Sequence, residues 1–316
     1  MIFRNNQFKK LGLIYGPNND SEISWADNSF LTPTPFILDK STIRIFGGLR
    51  DANGISRIGF IDVSRSKPNK ILNVSKAPVL DIGEPGRFDD NGVMPCEVLR
   101  VGTSIYMYYA GFQLVDKIKF QAFTGLCIST DNGNSFVRYK ETPVLDRSED
   151  GLFIRTLHTI FKDNDLYKTW YVGGSNWETI NGSDYANYQI YYSESKDGIN
   201  FSDKGCLAIP CDLQNNEYRI GRPRVHKIGN MYEMSYTFSN FNGEVGSGYA
   251  YSEDGINWTR DDKNFPIIKS STGWDSKSIN YPYLLEVDSK YYVFYCGNNL
   301  GYEGFGCAET FFNKDL

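Results

Sequence analysis

The sequence repeats itself about every 60 residues, and this feature constrains the fold more than any other. Each copy joins a segment around an aligned Pro or Thr to a Tyr- or Phe-rich run that ends near Gly. The aligned positions, spaced 60, 61, 67 and 59 residues apart, are Pro35, Pro95, Thr156, Pro223 and Pro282. A fixed period of this kind marks one supersecondary unit used several times. The sequence therefore predicts five copies of one unit.

Each copy contains four strand-like segments rich in aromatic and β-branched residues. We expect the fourth strands at residues 78–80, 143–145, 207–209 and 266–268. Four antiparallel strands repeated radially form a propeller blade. The sequence thus predicts an all-β, five-bladed β-propeller in one domain, residues 1–316. The expected blades span about 25–82, 88–147, 149–210, 216–269, and 274–312 together with 8–15.

The last copy lacks a fourth strand, and the other end of the chain supplies a candidate. The third strand of this copy is expected at residues 304–308, and the chain then ends at residue 316. Residues 10–15 have the missing strand pattern. We therefore expect the N-terminal strand to close the last blade, which removes an exposed sheet edge.

Three turns, at residues 129–136, 196–201 and 252–258, share an Asp, a Gly and a following aromatic residue. They resemble the Asp-box turn of sialidases and related propellers. Asp accepts hydrogen bonds from the turn backbone, and Gly adopts positive φ. We interpret these turns as structural.

Composition excludes several classes of partner and location. The net charge of −5 leaves no basic face for nucleic acid. No stretch approaches the roughly 20 apolar residues of a membrane-spanning helix. The N-terminus has no apolar core long enough for a signal peptide, so a cytoplasmic protein is expected. The sequence does not indicate the oligomeric state.

The metal-binding and redox residues are sparse. Only His158 and His226 are present, and the six cysteines have no CxxC spacing. Zinc is therefore not expected, and free buried thiols are expected, with a Cys206–Cys211 disulfide as the alternative. Carboxylates and amides could bind Ca²⁺, but no Asp-rich loop has the required spacing. We expect no cofactor.

Polar residues collect on the face where the inner strands begin. The acids that precede these strands are Asp27, Asp89, Asp90, Glu149, Asp150, Glu217 and Asp275. Near the strand starts lie Glu97, Arg155, Arg219, Arg222 and Tyr281. The loops after the second strands contain Arg50, Asp51, Gln113, Asn176, Trp177, Asn240, Asn242, Asn298 and Asn299. Acids and amides bind sugar hydroxyls, and aromatic faces stack on pyranose rings, so this face predicts a saccharide site.

Structural roles are the alternative for several of these residues. Asp27 and Asp275 could cap turns, and Trp274 and Phe88 are expected to anchor blade packing. His158 and His226 are expected to be core residues. We expect Trp177, in a polar loop, to stack on a ligand.

The five repeats, the inner-strand prolines and the sugar-suited loops together resemble the five-bladed glycosidase superfamily of glycoside hydrolase families 43, 32, 68 and 130. The resemblance spans nearly the whole chain. It implies a carboxylate pair at the inner-strand starts, here Asp27 and Glu217, with Asp90 or Asp150 in support. Two such groups would give retaining or inverting hydrolysis, depending on their separation.

The chain departs from that superfamily beside the inner-strand prolines, where related hydrolases often carry acids. Arg155 and Arg222 occupy two of these positions. The planar arginine fork suits phosphate or carboxylate, so we expect an anionic saccharide. Alternatively, Arg155 pairs with Asp150 or Glu149, and Arg222 pairs with Glu217.

The sequence therefore favours an enzyme that transfers or cleaves a glycosyl group on an anionic or activated saccharide, for example in surface-polysaccharide synthesis. The candidate catalytic residues are Glu217, Asp90 and Asp27, then Asp150 and Glu97. The candidate substrate-binding residues are Arg50, Asp51, Asp89, Gln113, Arg155, Asn176, Trp177, Arg222, Asn240, Tyr281 and Asn298. An orthodox hydrolase with paired carboxylates and a noncatalytic carbohydrate-binding propeller stay open as alternatives.

Overall fold

The computed structural model describes residues 1–17, 23–27, 29–180 and 182–311. These residues form twenty strands, one short helix, α1 (Ile2–Asn5), and three short 3₁₀ segments at Leu213–Asn215, Asp262–Asn264 and Asn299–Gly301. The expected all-β class is confirmed. In this part of the chain, no helix has the length and apolar character needed to cross a membrane.

The strands fall into five antiparallel groups, which we call units 1 to 5. Strand β1 spans Gln7–Tyr15. Unit 1 contains β2 (Leu31–Ile37), β3 (Thr42–Arg50), β4 (Ser56–Ser64) and β5 (Lys67–Val74). Unit 2 contains β6 (Val93–Val101), β7 (Ser104–Gln113), β8 (Gln121–Ser129) and β9 (Val137–Arg138).

The later units follow the same order. Unit 3 contains β10 (Ile154–Asp163), β11 (Leu166–Ile180), β12 (Ser183–Ser195) and β13 (Cys206–Ile209). Unit 4 contains β14 (Glu217–Ile228), β15 (Met231–Asn240), β16 (Val245–Ser252) and β17 (Thr259–Arg260). Unit 5 contains β18 (Asn280–Val287), β19 (Lys290–Cys296), β20 (Phe305–Phe311) and, as its fourth strand, β1.

Apolar side chains fill the space between neighbouring units, which explains why the middle strands are buried on both faces. Phe46 of unit 1 packs with Tyr109 of unit 2, and Trp170 of unit 3 packs with Met234 of unit 4. A further cluster joins unit 5 to unit 1 through residues that include Phe294 and Ile45. Burial of whole aromatic faces between sheets supplies much of the hydrophobic stabilisation of such a fold.

Hydrogen bonding also links some units directly. Short parallel bridges join β8 to β10 and β12 to β14, so units 2, 3 and 4 form one continuous 12-stranded sheet. Units 1 and 5 are separate four-stranded sheets. The predicted count of five separate blades therefore stays a prediction.

The predicted pairing of the N-terminal strand is present. β1 runs antiparallel to β20, with Lys10 opposite Ala308, Gly12 opposite Cys307 and Tyr15 opposite Phe305. Gly12 has a φ of 95° at a register shift in this pair, a conformation that favours glycine. The first and last strands described thus belong to one sheet.

The fourth strands differ from prediction in three of the four units where we placed them. Only the expected strand at 207–209 is observed, within β13. Leu80 and Leu145 instead make isolated bridges to Ile58 and Thr124. Each of these segments begins with Pro, which has no N–H to donate to a longer ladder. The outer strands form nearby as β5, β9 and β17.

The three Asp turns are structural, as interpreted. Asp197 accepts backbone hydrogen bonds from Ile199 and Asn200 at 2.8 Å, and Asp254 does the same for Ile256 and Asn257. These bonds hold the pKa of both carboxyls below the usual range. The aromatic residues that follow, such as Phe136, pack into the core clusters.

Candidate functional site

The first strands of the five units, β2, β6, β10, β14 and β18, lie side by side at the centre of the molecule. A cavity of about 140 Å³ opens where these strands begin. Its wall includes the apolar side chains of Met94, Phe112, Phe120 and Ile154 and the polar side chains of Thr156, His158, Tyr188, Arg222 and Tyr281. A smaller recess continues past Arg222 to Arg219, Thr237 and Ser239. We call the two together the central pocket.

The central pocket is cationic. Arg219 and Arg222 line it, and no Asp or Glu is among the described residues of its wall. Neither arginine has a carboxylate within ion-pair distance in the described chain. Arg219 donates to Ser239 Oγ at 3.0 Å, and its pKa is raised, above all through its interaction with Tyr188. Both guanidinium groups therefore carry charge that the pocket itself does not neutralise.

Arg222 is held by weak partners. Its Nη1 lies 3.4 Å from Pro95 O and 3.4 Å from His158 Nδ1, and its Nη2 lies 3.8 Å from Met94 Sδ. The guanidinium also faces the Tyr281 ring at 5.4 Å. Hydrogen bonds to carboxylate or phosphate are shorter and stronger than these contacts. These contacts orient the guanidinium group of Arg222 but leave it able to bind an anion.

Backbone strain marks the same place. Arg222 and Tyr281 adopt φ values of 57° and 55°, each within a one-residue register shift of its strand pair. Left-handed backbone in a residue other than glycine costs on the order of 1–3 kcal/mol and concentrates at functional sites. The two bulges direct both side chains into the central pocket.

His158 is a neutral hydrogen-bonding group in this pocket. Burial, followed by the charges of Arg222 and Arg224, lowers the pKa of His158 well below its usual value. Since Arg222 can only donate, Nδ1 accepts, and Nε2 therefore carries the proton and donates to Thr156 Oγ1 at 3.0 Å.

A buried polar cluster, which we call the polar plug, lies further along the first strands than the central pocket. Arg224 of unit 4 donates to His158 O at 2.5 Å and Thr34 Oγ1 at 3.1 Å, and lies 3.5 Å from Glu97 Oε2. Tyr283 of unit 5 donates to the other Glu97 oxygen at 2.8 Å. Burial raises the pKa of Glu97, and Arg224 offsets part of that rise. Glu97, predicted as a reserve catalyst, lies in this plug rather than in the pocket wall.

Arg50 lies at the end of β3. Its guanidinium stacks 3.9 Å from the Tyr302 ring centre, and its buried Nη1 has no hydrogen-bond partner. Arg50 and Arg222 both act electrostatically on the Cys296 thiol, whose pKa burial raises to about 12. Tyr302 lies two residues after Leu300, which lines the recess of the central pocket, so Arg50 lies on the same side of the molecule as that pocket.

Predicted acids in three units form one repeated contact, which we call the acid clamp. In unit 2, Asp89 accepts from Tyr109 OH and Arg138 Nε at 2.9 and 2.8 Å. The same contact in unit 5 joins Asp275 to Tyr295 and Lys10. Each clamp ties the residue before a first strand to the second strand of its own unit.

In unit 3, the clamp joins two of the predicted site residues. Asp150 accepts from Tyr171 OH at 2.6 Å and Gly205 N at 2.7 Å, and Arg155 Nε lies 3.1 Å away. Arg155 also donates to Ser202 O and is 3% exposed. The alternative pairing of Arg155 with Asp150 is therefore present, and neither residue reaches the central pocket.

Glu217 is occupied in a related way. It makes a two-pronged ion pair with Arg260 at 2.8 and 2.9 Å and accepts from Asp212 N. Arg260 also contacts Asp262, which accepts from Tyr236 OH. Glu217 pairs with Arg260 rather than with Arg222, so the expected alternative partner is not the one observed.

Five further predicted residues lie in turns or at a strand end, outside the central pocket. Asp27 accepts from Ser29, Asp90 from Gly86 N, and Asp51 from Asn53 N and Ile55 N. Asn240 and Asn298 likewise accept from backbone N–H groups. These contacts favour the capping role that was open for Asp27. A catalytic or binding role for the turn residues stays a prediction.

Trp177 is placed differently from expectation. Its ring packs against Phe120 and Phe153 at 5.2 Å, and its buried indole N–H has no partner. It therefore supports Phe120 in the pocket wall instead of facing the pocket itself. Gln113 ends β7 opposite Gln121. Asn176 is exposed and lines a groove between units 3 and 4.

This groove has a volume of about 440 Å³ and meets the central pocket at Tyr188, which lines both. Tyr218 and Phe241 stack along it at 4.8 Å, and Glu178 accepts from Asn187 Nδ2 at 2.6 Å. The described residues contain no group of three or more His, Cys, Asp or Glu side chains arranged to hold a metal ion. The six cysteines are free.

Of the predicted binding residues, the structure brings Arg222 and Tyr281 together. Sequence reasoning did not select His158, Tyr188 or Met94, and placed Arg219 near the site without a role. A usable signal existed for Arg219, which lies three residues before Arg222 at the start of an inner strand. No local pattern distinguishes Tyr188 among 22 tyrosines.

Comparison with known proteins gives sequence relatives and a shared fold. No family model matches the chain. It is 29% identical over 301 residues to the uncharacterised protein Rv1502 of Mycobacterium tuberculosis, covering 95% of this chain and 98% of that protein. No activity follows from that likeness.

The structural neighbours are glycoside hydrolases of the family 43 and family 130 propeller type. One glycoside hydrolase aligns with a TM-score of 0.72 at 17% identity, over 96% of this chain and 92% of that chain. A thermostable family-43 glycoside hydrolase gives 0.65 at 19%, over 91% of both chains. A protein described with the family-130 mannoside phosphorylases and β-1,2-mannosidases gives 0.69 at 14%, over 96% and 93%. At these identities the likeness shows the fold alone.

Proposed function

We propose that this chain is a five-bladed β-propeller, carbohydrate-active enzyme that cleaves or transfers a glycosyl group on a saccharide carrying a phosphate. Arg222 and Arg219 hold the phosphate in the central pocket, with Arg50 as a further cation on that side. A cytoplasmic location and a role in polysaccharide synthesis belong to the same proposal.

One observation carries this proposal: two arginines line the central pocket and no described acid does. Two unneutralised guanidinium groups close to each other are unfavourable unless an anion joins them. Phosphate accepts several charge-assisted hydrogen bonds and matches the planar arginine fork. A neutral sugar alone would leave that charge uncompensated.

The rest of the pocket suits a sugar ring. Met94, Phe112 and Ile154 offer apolar surface, while His158 and Thr156 offer uncharged hydrogen-bonding atoms. Burial raises the pKa of Tyr281 to about 12, so its phenol stays protonated and can donate to an oxygen. A few polar groups on a mostly apolar wall are typical of small-molecule sites.

The fold supports the saccharide class. Structural neighbours include glycoside hydrolases and a protein described with mannoside phosphorylases. A phosphorylase uses inorganic phosphate or releases it, so an arginine-lined pocket in this fold is consistent with that chemistry. We therefore rank a phosphorylated sugar or phosphate itself above an acidic sugar.

The test is binding of inorganic phosphate, glucose 1-phosphate and mannose 1-phosphate, measured by isothermal titration calorimetry. Arg222→Ala and Arg219→Ala should each weaken binding by about 10- to 100-fold, because a hydrogen bond to a charged group contributes roughly 1.5–3 kcal/mol. Arg57→Ala is the control, since Arg57 pairs with Asp51 and Asp81 away from the pocket. Binding that is equal in the wild type and both pocket variants would overturn the proposal.

A noncatalytic sugar-phosphate-binding propeller is the second candidate. The observation that favours it is the occupation of Glu217, Asp150 and Glu97 by Arg260, Arg155 and Arg224. Turnover decides between the two candidates. Release of sugar from mannose 1-phosphate, or transfer of its glycosyl group to an acceptor sugar, supports the enzyme, and tight binding without product supports the binding protein.

A further inference from the structure

We infer that the groove between units 3 and 4 is a second subsite, which binds uncharged glycosyl residues attached to the phosphorylated sugar. The inference deepens the proposed function and rests on it. It predicts a substrate of at least two sugar residues, one of them charged.

The groove is continuous with the central pocket. Tyr188, in the middle of β12, lines both cavities, and its neighbour across the parallel bridge is Arg219. A saccharide with its phosphate on Arg219 and Arg222 can therefore extend past Tyr188 without leaving the protein surface. The groove, at about 440 Å³, is larger than the 140 Å³ cavity that it joins.

The lining of the groove has a different chemistry from that of the central pocket. Amide and hydroxyl groups of Ser175, Asn176, Asn187 and Gln189 line it, and no Lys or Arg is among its described lining residues. Neutral amides can both donate to and accept from sugar hydroxyls. The groove therefore matches uncharged sugar rather than a second phosphate.

Glu178 adds an acceptor to the groove. Its carboxylate is exposed, accepts from Asn187 Nδ2 at 2.6 Å and has no ion-pair partner in the described chain. This contrasts with Glu217, which borders the same groove but is bound by Arg260. Glu178 is thus available to accept a hydrogen bond from a sugar hydroxyl.

An aromatic group lines one side of the groove. Tyr218 and Phe241 stack with an interplanar angle of 28°, and Tyr185 meets both rings edge-on at 5.0 and 5.6 Å. Phe241 is 39% exposed and Leu213 nearby is 80% exposed. Exposed apolar side chains grouped around a concave surface indicate a binding site. The hydrogen-bonding amides beside these rings favour a sugar over a purely apolar partner.

The experiment uses two kinds of probe on the full chain. Inorganic phosphate reports on the arginines, and a panel of neutral disaccharides of mannose, glucose, galactose and xylose, including β-1,2-mannobiose, reports on the groove. Binding is measured by calorimetry for phosphate and by saturation-transfer difference NMR for the disaccharides. The variants are Phe241→Ala, Asn176→Ala and Arg222→Ala, with Tyr139→Ala as an exposed aromatic control far along the chain from the groove.

We expect at least one disaccharide to bind the wild type. Phe241→Ala and Asn176→Ala should each weaken the binding of that disaccharide roughly 3- to 10-fold, in line with the loss of one aromatic contact or one hydrogen bond. Phosphate affinity should change less than twofold in both variants, and Tyr139→Ala should change neither affinity. Arg222→Ala should lose phosphate binding and retain disaccharide binding.

The two possible failures are distinguishable. If no disaccharide binds, or if Phe241→Ala and Asn176→Ala leave disaccharide affinity unchanged, the groove is not a sugar subsite, whatever the phosphate result. If disaccharide affinity depends on Phe241 but phosphate binds independently of Arg222, the proposed function fails and the inferred phosphorylated substrate fails with it. Circular dichroism spectra of all variants verify the fold.

Discussion

Tyr109, Tyr171 and Tyr295 each donate a hydrogen bond to an Asp that precedes the first strand of the same unit. The phenol and a nearby cation both contact a carboxylate that is almost fully buried, although in Asp89 they share Oδ2 and leave the buried Oδ1 without a partner. A buried charge without such partners would destabilise the fold strongly. At the scale of single residues, each of these acids therefore joins the segment before the first strand to the second strand of the same unit.

The acid clamp predicts a stability effect for Tyr171→Phe. Burial alone would raise the pKa of Asp150, but bonds from Gly205 N, Ser148 and Tyr171 lower it below the usual range. Loss of the Tyr171 hydroxyl should reduce the free energy of unfolding by about 1–3 kcal/mol. Urea denaturation measures this change.

Tyr139→Phe is the matched control for the clamp, because Tyr139 is 49% exposed. That change should alter the free energy of unfolding by less than about 0.5 kcal/mol. Equal stability of the two variants would show that the clamp contributes nothing.

His158 predicts a pH dependence of stability. Its folded pKa is lowered well below 6.5, so the unfolded chain binds the proton more readily. Its contribution is therefore complete above pH 6.5 and declines as the pH falls below that value, by at most about 1.4 kcal/mol per pH unit. Burial raises the pKa of Glu97. The contribution of Glu97 to the free energy of unfolding therefore has the opposite pH dependence, and it declines as the pH rises from about 4.5.

His158→Gln isolates the histidine. Between pH 6.5 and 5, the slope of unfolding free energy against pH should be shallower in this variant than in the wild type. Thr156→Val keeps the imidazole and removes only its hydroxyl partner, so it should retain the wild-type slope. An unchanged slope in His158→Gln would contradict a buried, neutral imidazole.

At the scale of elements, β1 pairs with β20 and so joins the first strand of the described chain to the last. Side chains alternate along it, so Ile14 is 3% exposed and Leu13 is 37% exposed. Ile14 belongs to the core cluster shared by units 5 and 1. The strand therefore contributes both backbone hydrogen bonds to β20 and apolar surface to the interface between two units.

Two adjacent substitutions test the contribution of β1. Ile14→Ala should lower the free energy of unfolding by about 2–5 kcal/mol, because it leaves a cavity in a packed cluster. Leu13→Ala, at the exposed neighbour, should cost less than about 1 kcal/mol. Chemical denaturation of both variants measures the difference, and similar values would contradict a packed role for this strand.

At the scale of the whole molecule, the units could be predicted because the amino-acid sequence repeats with a regular period. The 60-residue spacing and the missing fourth strand of the last copy indicated the all-β units and the pairing of residues 10–15 with 304–308. The outer strands were harder, because a Pro-Val-Leu segment such as 78–80 satisfies the strand pattern but makes only one bridge. Local pattern alone does not report how many ladder bonds a segment forms.

The candidate site could be predicted only in part. Arg222 and Tyr281 were found because they precede the inner-strand prolines. The partners of the predicted acids are remote in sequence: Arg138 lies 49 residues after Asp89, and Lys10 lies 265 residues before Asp275. Whether an acid faces a pocket or a buried cation depends on such long-range contacts, which no local motif encodes.

The pairing of β1 with β20 has a consequence for biosynthesis. β1 leaves the ribosome well before its partner, Phe305–Phe311, which lies about 290 residues later in the chain. At translation rates of about 5–20 residues per second, the strand waits roughly 15 to 60 seconds for that partner. Throughout this interval a nascent chain exposes β1 as an unpaired strand. On one polysome, β1 of a nascent chain can therefore pair with β20 of another copy, which gives strand exchange between the two chains.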